Sequence, residues 1–298
     1  MRLVTRGDLD GLTCALLITA CETIDAIELV HPQEMTERRF PIAPRDIIAN
    51  LPYHPACGKW FDNHLLTDAG LMPRKGFDGK YGNAPSAARM VYEYYLARHA
   101  GLRKHEPFLA EVDRFDSGQL TREDVVSPSG VILLGYTLDP RTGLGAFKEY
   151  FSSLLEALRT KTVGEVLALP EPAARVVRMR EQDADFRDVT VAHSTVQGNV
   201  VLTDFRGLAQ LPVGNRFLVY TLFPEANIQV RLAWGPKRER VVVNVGWSIF
   251  NRTCKTNVGV LMSLYGGGGH KGAGSCMLPV ETADAQVRQM VDTLRGNG

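Results

Sequence analysis

The first thirty residues contain the feature that most restricts the fold. A short apolar segment, Leu3 to Thr5, is followed by a polar turn, by a mostly apolar stretch from Leu12 to Cys21, and by a second apolar segment from Ala26 to Val30. The order strand, turn, helix, strand is typical of a mainly parallel sheet with helices on its faces, because parallel neighbours need a crossover connection. We therefore predict an α/β fold for the first half of the chain.

Two more strands are predicted, at Ile47–Ala49 and Lys59–Phe61. Polar residues follow each of them: Asn50 after the first, and Asp62-Asn63-His64 after the second. In open α/β sheets, ligands bind beyond the carboxyl ends of the strands. The polar residues behind three strands are thus expected to converge on one site.

The remainder of the chain predicts a second domain. Apolar spacing indicates helices over residues 85–99, 107–115, 146–160 and 175–186, the last of them after Pro170 and Pro172. Residues 200–202, 228–234 and 241–249 are β-rich, and a helix is expected over 256–264. We predict an N-terminal, mainly parallel-sheet domain with helices on both faces (1–160), a helical linker (161–190) and a smaller C-terminal α/β domain (191–298), with an active cleft between the domains.

Composition excludes several classes of protein. A net charge of +1 without a basic stripe argues against binding to long duplex nucleic acid or anionic membranes. No apolar run approaches the roughly 20 residues that span a bilayer, and the N-terminus lacks a signal-peptide pattern. The 5 cysteines are scattered without a CxxC pair, so neither a disulfide scaffold nor a thiolate zinc site is indicated. We expect a cytoplasmic protein, and the sequence does not indicate its oligomeric state.

The turn after the first strand carries two carboxylates, Asp8 and Asp10, with glycines on both sides. Paired carboxylates at such a turn suit Mg²⁺ or Mn²⁺. The alternative is a helix N-terminus, where acidic side chains are favourable because of the helix dipole and the free N–H groups. Both interpretations remain open from the sequence.

Three other acidic residues and one histidine are candidates for the same site. Asp62 and His64 follow a strand, and the sequence favours neither a structural nor a catalytic role for the histidine. Asp113 and Asp116 lie at the end of a predicted helix, before Gly118. Acidic residues at a helix C-terminus interact unfavourably with the helix dipole. Either a functional requirement or ordinary solvation of the carboxylates would explain why they occur there.

The run Gly266 to Gly269, followed by His270, is the most unusual segment. Glycines expose backbone N–H groups that can approach an anion, and histidine adds a donor or a proton. The alternative is a flexible linker. Arg252 is a candidate phosphate ligand, since a guanidinium matches phosphate oxygens in a fork.

In order along the chain, these segments resemble the DHH phosphoesterase superfamily. The run Thr5 to Gly11 is similar to the first motif, HxDxDG, and Phe61 to His64 is similar to the Asp-His-His motif that names the family. The run Gly266 to His270 resembles its glycine-rich GGGH element. The match is strongest with the exopolyphosphatase-related and oligoribonuclease-like branch.

The resemblance implies hydrolysis of a phosphodiester or phosphoanhydride in a nucleotide, a short oligonucleotide or a polyphosphate. It implies one or two divalent ions, Mn²⁺ or Mg²⁺, and a partner that is a phosphorylated small molecule or an oligonucleotide end. The implied catalytic residues are Asp8, Asp10, Asp62, His64 and Asp116. The implied metal ligands are Asp8, Asp10, His64 and Asp116, and the implied substrate-binding residues are Arg6, Arg252, Gly267, Gly268, Gly269 and His270.

Three residues depart from the family pattern. Arg6 stands where the first motif has histidine, Asn63 replaces the first histidine of the naming motif, and Asn50 stands at the position matched to a bridging aspartate. These changes remove metal ligands, since arginine stays protonated. Two further hypotheses follow: His54 supplies a substitute imidazole, or Arg6 stands in for the metal's charge in a catalytically silent phosphate-ligand sensor.

Overall fold

The computed structural model describes residues 1–64, 72–138 and 147–297. The chain divides into two compact units. The first unit comprises Met1–Gln119 and Pro128–Val177, and the second comprises Leu120–Ser127 and Arg178–Gly298. The second division falls within one long helix, Pro170–Ala192.

The first unit is built on a five-stranded sheet in which every neighbouring pair is parallel. The strands are β1 (Arg2–Thr5), β2 (Ala26–Leu29), β3 (Ile47–Ala49), β4 (Lys59–Asp62) and β5 (Gly79–Tyr81). Their order in the sheet is β2-β1-β3-β4-β5. The register pairs Thr5 with Ala49, and Ala49 with Phe61. The carboxyl ends of the three central strands therefore lie side by side.

Side chains alternate between the two faces of this sheet, as the two-residue period of a strand requires. Leu3 and Phe61 contribute to a large core with the helices, while Val4 and Trp60 belong to a second core on the other face. Around Trp60, that second core contains the aromatic rings of Tyr53, Phe77 and Tyr81.

The helices follow from local signals in the sequence. They are α1 (Leu9–Thr19), α2 (Pro32–Thr36), α3 (Ala87–Leu96), α4 (Glu106–Asp116), α5 (Arg122–Val126), α6 (Gly130–Thr137), α7 (Phe147–Leu158), α8 (Val163–Leu167) and α9 (Pro170–Ala192), with a 3₁₀ turn over Ala100–His105. Ser86 caps α3 by accepting the N–H of Arg89. Thr162 caps α8 by accepting the N–H of Glu165, and its own N–H donates to the Glu165 carboxylate in return. Helix α5 belongs to the second unit.

The second unit has a six-stranded mixed sheet. Its elements are β6 (Ser194–Gln197), β7 (Val200–Asp204), α10 (Val219–Leu222), β8 (Ile228–Trp234), a 3₁₀ turn over Pro236–Arg238, β9 (Arg240–Trp247), α11 (Val258–Ser263), β10 (Gly268–His270), β11 (Ala273–Pro279) and α12 (Val280–Gly296). The strand order is β10-β11-β9-β8-β7-β6, and only β7 and β8 pair in parallel within it. Helices α11 and α12 pack on one face through residues such as Met262 and Met290.

The predicted fold class is confirmed in both units. Several elements, among them β5, β6, β10 and α12, were not predicted, and predicted elements differ from the observed ones at their ends. Helix α1 begins at Leu9 rather than Leu12, because Asp8 caps it. Helix α9 begins at Pro170 rather than Arg175, because proline is accepted in the first turn of a helix, where its missing N–H is no loss. The first residue of the helix predicted over 146–160, Ala146, lies outside the described residues.

Two compositional predictions can be checked directly. All five cysteines are free thiols, and four of them are buried. Within residues 1–64, 72–138 and 147–297, no helix combines the length and the apolar character that crossing a membrane demands.

Candidate functional site in the first unit

Asp8 occupies the turn between β1 and α1 and is the hub of the polar residues there. Its Oδ1 accepts the N–H of Gly11 at 2.8 Å and Nδ2 of Asn50 at 2.9 Å. Its Oδ2 forms an ion pair with Nε of Arg6 at 2.9 Å. Gly11 is required for this turn, because a Cβ there would overlap the carbonyl oxygen of Arg6. Asp8 is thus both a helix cap and a charged group linked to two other strand-end residues.

Asp10 is buried, with 2% of its surface exposed, and holds the start of another helix. Its two oxygens accept the N–H groups of Ala87 (3.0 Å) and Ala88 (2.8 Å), the first two residues of α3. Desolvation, together with the charges of Asp116 and Asp8, raises the pKa of Asp10 well above its usual range, although the two N–H groups oppose this. Asp10 therefore ties α1 to α3.

Asp62 and His64 form a carboxylate–imidazole pair at the end of β4, in which the carboxylate is buried. Asp62 Oδ1 lies 2.8 Å from Nδ1 of His64 and also accepts the N–H of Asn63 at 3.0 Å. The hydrogen bond that His64 donates to Asp62 raises the pKa of His64 against the opposing effect of burial. A carboxylate on Nδ1 fixes the ring and directs Nε2 away from Asp62, as in the outer partners of many metal-bound histidines.

Asp116, at the end of α4, belongs to the same electrostatic group. Asp116 is an exposed residue, but desolvation of its carboxylate by neighbouring protein atoms and the charge of Asp8 raise its pKa to about 6. His64, Arg6 and a hydrogen bond from Asn63 act in the opposite direction. The structure thus brings together six of the predicted site residues, and we call them the carboxylate cluster: Arg6, Asp8, Asp10, Asp62, His64 and Asp116.

Three oxygen atoms beside this cluster lack a hydrogen-bond partner among the described residues. They are Oγ1 of Thr5, Oδ1 of Asn50 and Oδ1 of Asn63, each at or just beyond the end of a central strand. Asn50 is 2% exposed and has a φ of 58°, in the left-handed region. The orientation of its amide is fixed chemically, because Asp8 can only accept and so must face Nδ2. A buried acceptor without a donor is unfavourable by about 1–3 kcal/mol.

The side chains of the carboxylate cluster and of the neighbouring Asn50 and Asn63 offer donors for the divalent metal that the resemblance implies. Four carboxylates, two amide oxygens and one imidazole are donors that suit Mn²⁺ or Mg²⁺, and Arg6 is the cation paired with Asp8. Among the described residues, no three His, Cys, Asp or Glu side chains already surround a common point. The donor chemistry therefore fits a cation. At present Asp8 is paired with Arg6 and Asn50, Asp10 with two backbone N–H groups, and Asp62 with His64.

The hypothesis of a substitute imidazole at His54 gains no support. Its Nδ1 accepts the N–H of Ala56 at 3.2 Å in a local turn. Burial and the charge of Arg38 lower the pKa of His54, and no residue of the carboxylate cluster contributes to that shift.

Glycine-rich element in the second unit

The run Gly266 to His270 is not a flexible linker, so that interpretation is wrong. Residues Gly268–His270 form strand β10, which pairs antiparallel with β11. A Cβ on Gly267 would overlap the carbonyl oxygen of Ser275, and one on Gly269, whose φ is 154°, would overlap that of Ala273. Gly268 alone of these three opens onto empty space. Close packing explains two of these glycines without any ligand.

The other two predicted substrate ligands of this unit are surface residues. His270 ends β10 and is exposed. Arg252 is also exposed, and its Nε donates to the carbonyl oxygen of Ile249 at 3.0 Å. Both side chains can be reached by a ligand from solvent.

Comparison with known proteins

Two solved structures of low sequence identity share the fold of this chain. The chain aligns with a DHH domain from a member of the s1p family of ribosomal proteins (13% identity, TM-score 0.57, covering 99% of this chain and 86% of that one). It also aligns with RecJ from Thermus thermophilus in complex with Mn²⁺ (13% identity, TM-score 0.56, covering 97% and 51%). A scan of protein-family models and a search of curated proteins give no match.

A more similar structure matches the whole chain. It is PggH, a pGpG-specific phosphodiesterase from Vibrio cholerae, with 36% identity and a TM-score of 0.83 over 100% of this chain and 99% of that one. The chain therefore belongs to the DHH phosphoesterase superfamily, as its motifs predict. A phosphoesterase that acts on nucleotides or oligonucleotides is the class of activity this supports.

Two features of the site were not predicted from the sequence: the N-terminus of α3 and the hydroxyl of Thr5. Sequence reasoning did not predict that the N-terminus of α3 receives Asp10, although Pro85-Ser86 indicated that a helix begins there. It also did not identify Thr5, whose buried hydroxyl is one of the three oxygens beside the cluster that lack a partner in the part of the chain that the structure describes. Nothing in a single sequence distinguishes such a threonine from an ordinary strand residue.

Proposed function

We propose that this protein is a metal-dependent phosphodiesterase that hydrolyses the dinucleotide pGpG or a closely similar short oligonucleotide. The observation that carries the proposal is the carboxylate cluster together with its oxygens that lack donors. Such a set attracts a cation, and a bound cation is a common means of hydrolysing a phosphodiester. The likeness over the full chain to a pGpG-specific phosphodiesterase supports this substrate.

Asp8, His64 and Asp116 would hold one divalent ion, Mn²⁺ or Mg²⁺, and Asn50 would add a neutral oxygen. Asp10 would contribute chiefly by holding α3, since both its oxygens accept backbone N–H groups. When bound, the ion lowers the pKa of a water molecule and neutralises charge on the phosphoryl group. Because a neutral amide replaces a carboxylate at residue 50, we propose one ion rather than two.

The protein's own groups would orient the reaction. Arg6 is half-exposed and would turn its remaining N–H donors toward a non-bridging phosphate oxygen. Asp62 would hold the proton on Nδ1 of His64 and so keep its ring in place. Attack of water on phosphorus breaks the single internucleotide linkage, the leaving oxygen takes up a proton, and two mononucleotides result.

In the second unit, we propose that Arg252, His270 and Gly268 bind a phosphate group. Gly267 and Gly269 would support this by packing, because any side chain there would overlap β11. Five free thiols agree with action in the reducing cytoplasm, which we also propose.

The experiment is hydrolysis of a substrate panel by metal-stripped protein resupplied with Mn²⁺ or Mg²⁺. The panel contains pGpG, a longer oligonucleotide, a short polyphosphate and bis-p-nitrophenyl phosphate. Asp8→Ala is the test variant, and Glu111→Gln, which removes a surface carboxylate of α4 outside the cluster, is the matched control.

Turnover of pGpG that needs both metal and Asp8, and that Glu111→Gln retains, would support the proposal. A folded wild-type protein without turnover, whose melting temperature rises with pGpG, would contradict it. That second result would instead favour the sensor hypothesis, in which the Arg6–Asp8 ion pair replaces the metal's charge.

A further inference from the structure

Two carboxylates of the cluster are carried by different helices. Asp10 belongs to α1, and Asp116 ends α4. Because Asp8 caps α1, Asp8 and Asp116 can hold the proposed ion together only if α1 and α4 keep a fixed relation to each other. Helices α1 and α4 contact each other directly, and helix α3 contacts both, since its first two N–H groups bind Asp10 and its cap bonds to α4.

The N-cap of α3 extends this connection to α4. Ser86 is fully buried, and its Oγ accepts the N–H of Arg89 at 3.0 Å. The same hydroxyl donates to Oδ1 of Asp113 at 2.6 Å. The start of α3 is thus bonded to Asp10 through its backbone and to Asp113 through its cap.

The guanidinium group of Arg89 adds a second link to α4, because it donates hydrogen bonds to two side chains of that helix, Asp113 and Glu106. Its Nε and Nη2 donate to Oδ2 of Asp113 at 2.8 and 2.5 Å. Its Nη1 donates to both oxygens of Glu106 at 2.8 and 3.1 Å. Arg89 and Asp113 are largely shielded from solvent, with side chains 16% and 13% exposed. Such charge-assisted, two-point bonds fix geometry better than a surface ion pair does.

The position of Asp113 on α4 makes this arrangement informative. Asp113 lies three residues before Asp116, so the two share one side of the last turn. A carboxylate in the last turn opposes the helix dipole. The unfavourable position of Asp113 is explained if its carboxylate is needed there to accept the hydrogen bonds from Ser86 and Arg89 of the α3 start.

We propose that Arg89, acting with Ser86 and Asp113, is a positioning residue for the metal site. It holds the α4 end that carries Asp116 against the α3 start that holds Asp10. The inference rests on the proposed function and deepens it. In it, Arg89 contacts neither substrate nor ion, and acts by keeping Asp10 and Asp116 in position.

The test uses the full-length variants Arg89→Met, Arg89→Lys and Asp113→Asn. Mn²⁺ affinity is measured from the electron paramagnetic resonance signal of free Mn²⁺, with kcat and KM for pGpG and the melting temperature alongside. Glu93→Gln is the matched control, because it breaks the exposed Lys80–Glu93 ion pair of the same helix.

Loss of an outer partner of a metal site typically weakens affinity or activity about 10- to 100-fold. We expect Arg89→Met and Asp113→Asn to weaken Mn²⁺ binding and lower kcat by such factors, with KM for pGpG nearly unchanged. Arg89→Lys keeps the charge without the fork and should recover part of both losses. Glu93→Gln should leave all three quantities at the wild-type level.

Folded variants with a lower melting temperature but unchanged Mn²⁺ affinity and kcat would overturn the inference, since that result marks a purely structural bridge. If Arg89→Met does not fold, Arg89→Lys and Asp113→Asn decide the matter by the same readouts. Wild-type protein that binds Mn²⁺ without hydrolysing pGpG would refute the proposed function alone, and the Mn²⁺ affinities would still judge Arg89. Wild-type protein that binds no Mn²⁺ would refute both.

Discussion

The carboxylate cluster of the first unit and strand β10 of the second unit were both singled out by sequence motifs, yet their local physics differs. In the cluster, desolvation and like charges raise the pKa of buried Asp10 and of exposed Asp116, and buried oxygens beside the cluster lack donors among the described residues. At β10, Gly267 and Gly269 fit their neighbours so closely that packing accounts for them.

The difference shows how a functional site can be told from a structural motif. Buried polar groups without hydrogen-bond partners in the protein are expected to bind a ligand. Because most groups in this cluster are acceptors, the expected ligand is a cation. Glycines such as Gly267 and Gly269, where any side chain would overlap the neighbouring strand, are explained by packing and require no ligand. In β10, only Gly268 and the exposed His270 are left to indicate a ligand.

The largest expected effect is in the carboxylate cluster. Asp8→Asn keeps the size of the side chain and its capping bond to Gly11, but removes the charge that faces Arg6 and the proposed ion. We expect kcat for pGpG to fall about 10²- to 10³-fold, comparable with the loss of a catalytic acid or base. Steady-state kinetics at saturating Mn²⁺ check this, and kcat within a factor of about 3 of wild type, about 0.6 kcal/mol or less, would contradict it.

The second effect is on stability and separates two of the glycines. Gly269→Ala forces a side chain onto a φ of 154° and against the carbonyl of Ala273, and we expect it to destabilise the protein by about 3 kcal/mol or more. Gly268→Ala meets open space and should change stability by less than about 1 kcal/mol. Urea unfolding of both variants measures the difference, and equal stabilities would show that packing does not explain the run.

The third prediction is that Asn50→Asp destabilises the metal-free protein but strengthens Mn²⁺ binding. Asn50→Asp places a second carboxylate beside Asp8, where Nδ2 now donates at 2.9 Å. We expect the metal-free protein to lose about 2 kcal/mol of unfolding free energy, because a bond becomes a repulsion. Mn²⁺ affinity should rise about tenfold, since an ion relieves that repulsion. A variant with unchanged Mn²⁺ affinity would place residue 50 outside the metal site.

The smallest effect concerns Arg6. Its ion pair with Asp8 is partly exposed, with side chains 45% and 32% accessible, and such pairs contribute about 1 kcal/mol or less. Arg6→Gln should therefore strengthen Mn²⁺ binding by no more than about fivefold while raising KM for pGpG. Isothermal titration with Mn²⁺ and initial-rate kinetics measure the two changes. Weaker Mn²⁺ binding in this variant would show that Arg6 supports the ion rather than competing with it.

Much of the first unit could be predicted from the sequence. The βαβ pattern of residues 3–30 predicted the parallel sheet, and the polar residues after β3 and β4 indicated which edge carries the site. These signals are local and periodic, so one sequence reveals them. The helix-cap interpretation of Asp8 is confirmed, and the same side chain also pairs with Arg6, while its role as a metal ligand stays a prediction.

The remaining features depend on contacts between distant residues. The bonds of Asp10 to Ala87 and Ala88 join positions far apart in the chain. Short strands such as β5 are fixed by their neighbours rather than by their own composition. The left-handed backbone of Asn50 is likewise a tertiary feature, although asparagine tolerates that conformation better than most residues.

The central claim is that the carboxylate cluster of this phosphoesterase is built to hold a divalent cation. The most direct test is titration of metal-stripped wild-type protein and Asp8→Asn with Mn²⁺, followed by the paramagnetic signal of the free ion. We predict one bound Mn²⁺ per wild-type chain and an affinity at least about tenfold weaker in Asp8→Asn. Folded wild-type protein that leaves the free Mn²⁺ signal unchanged, or a variant that binds as tightly, would contradict the account.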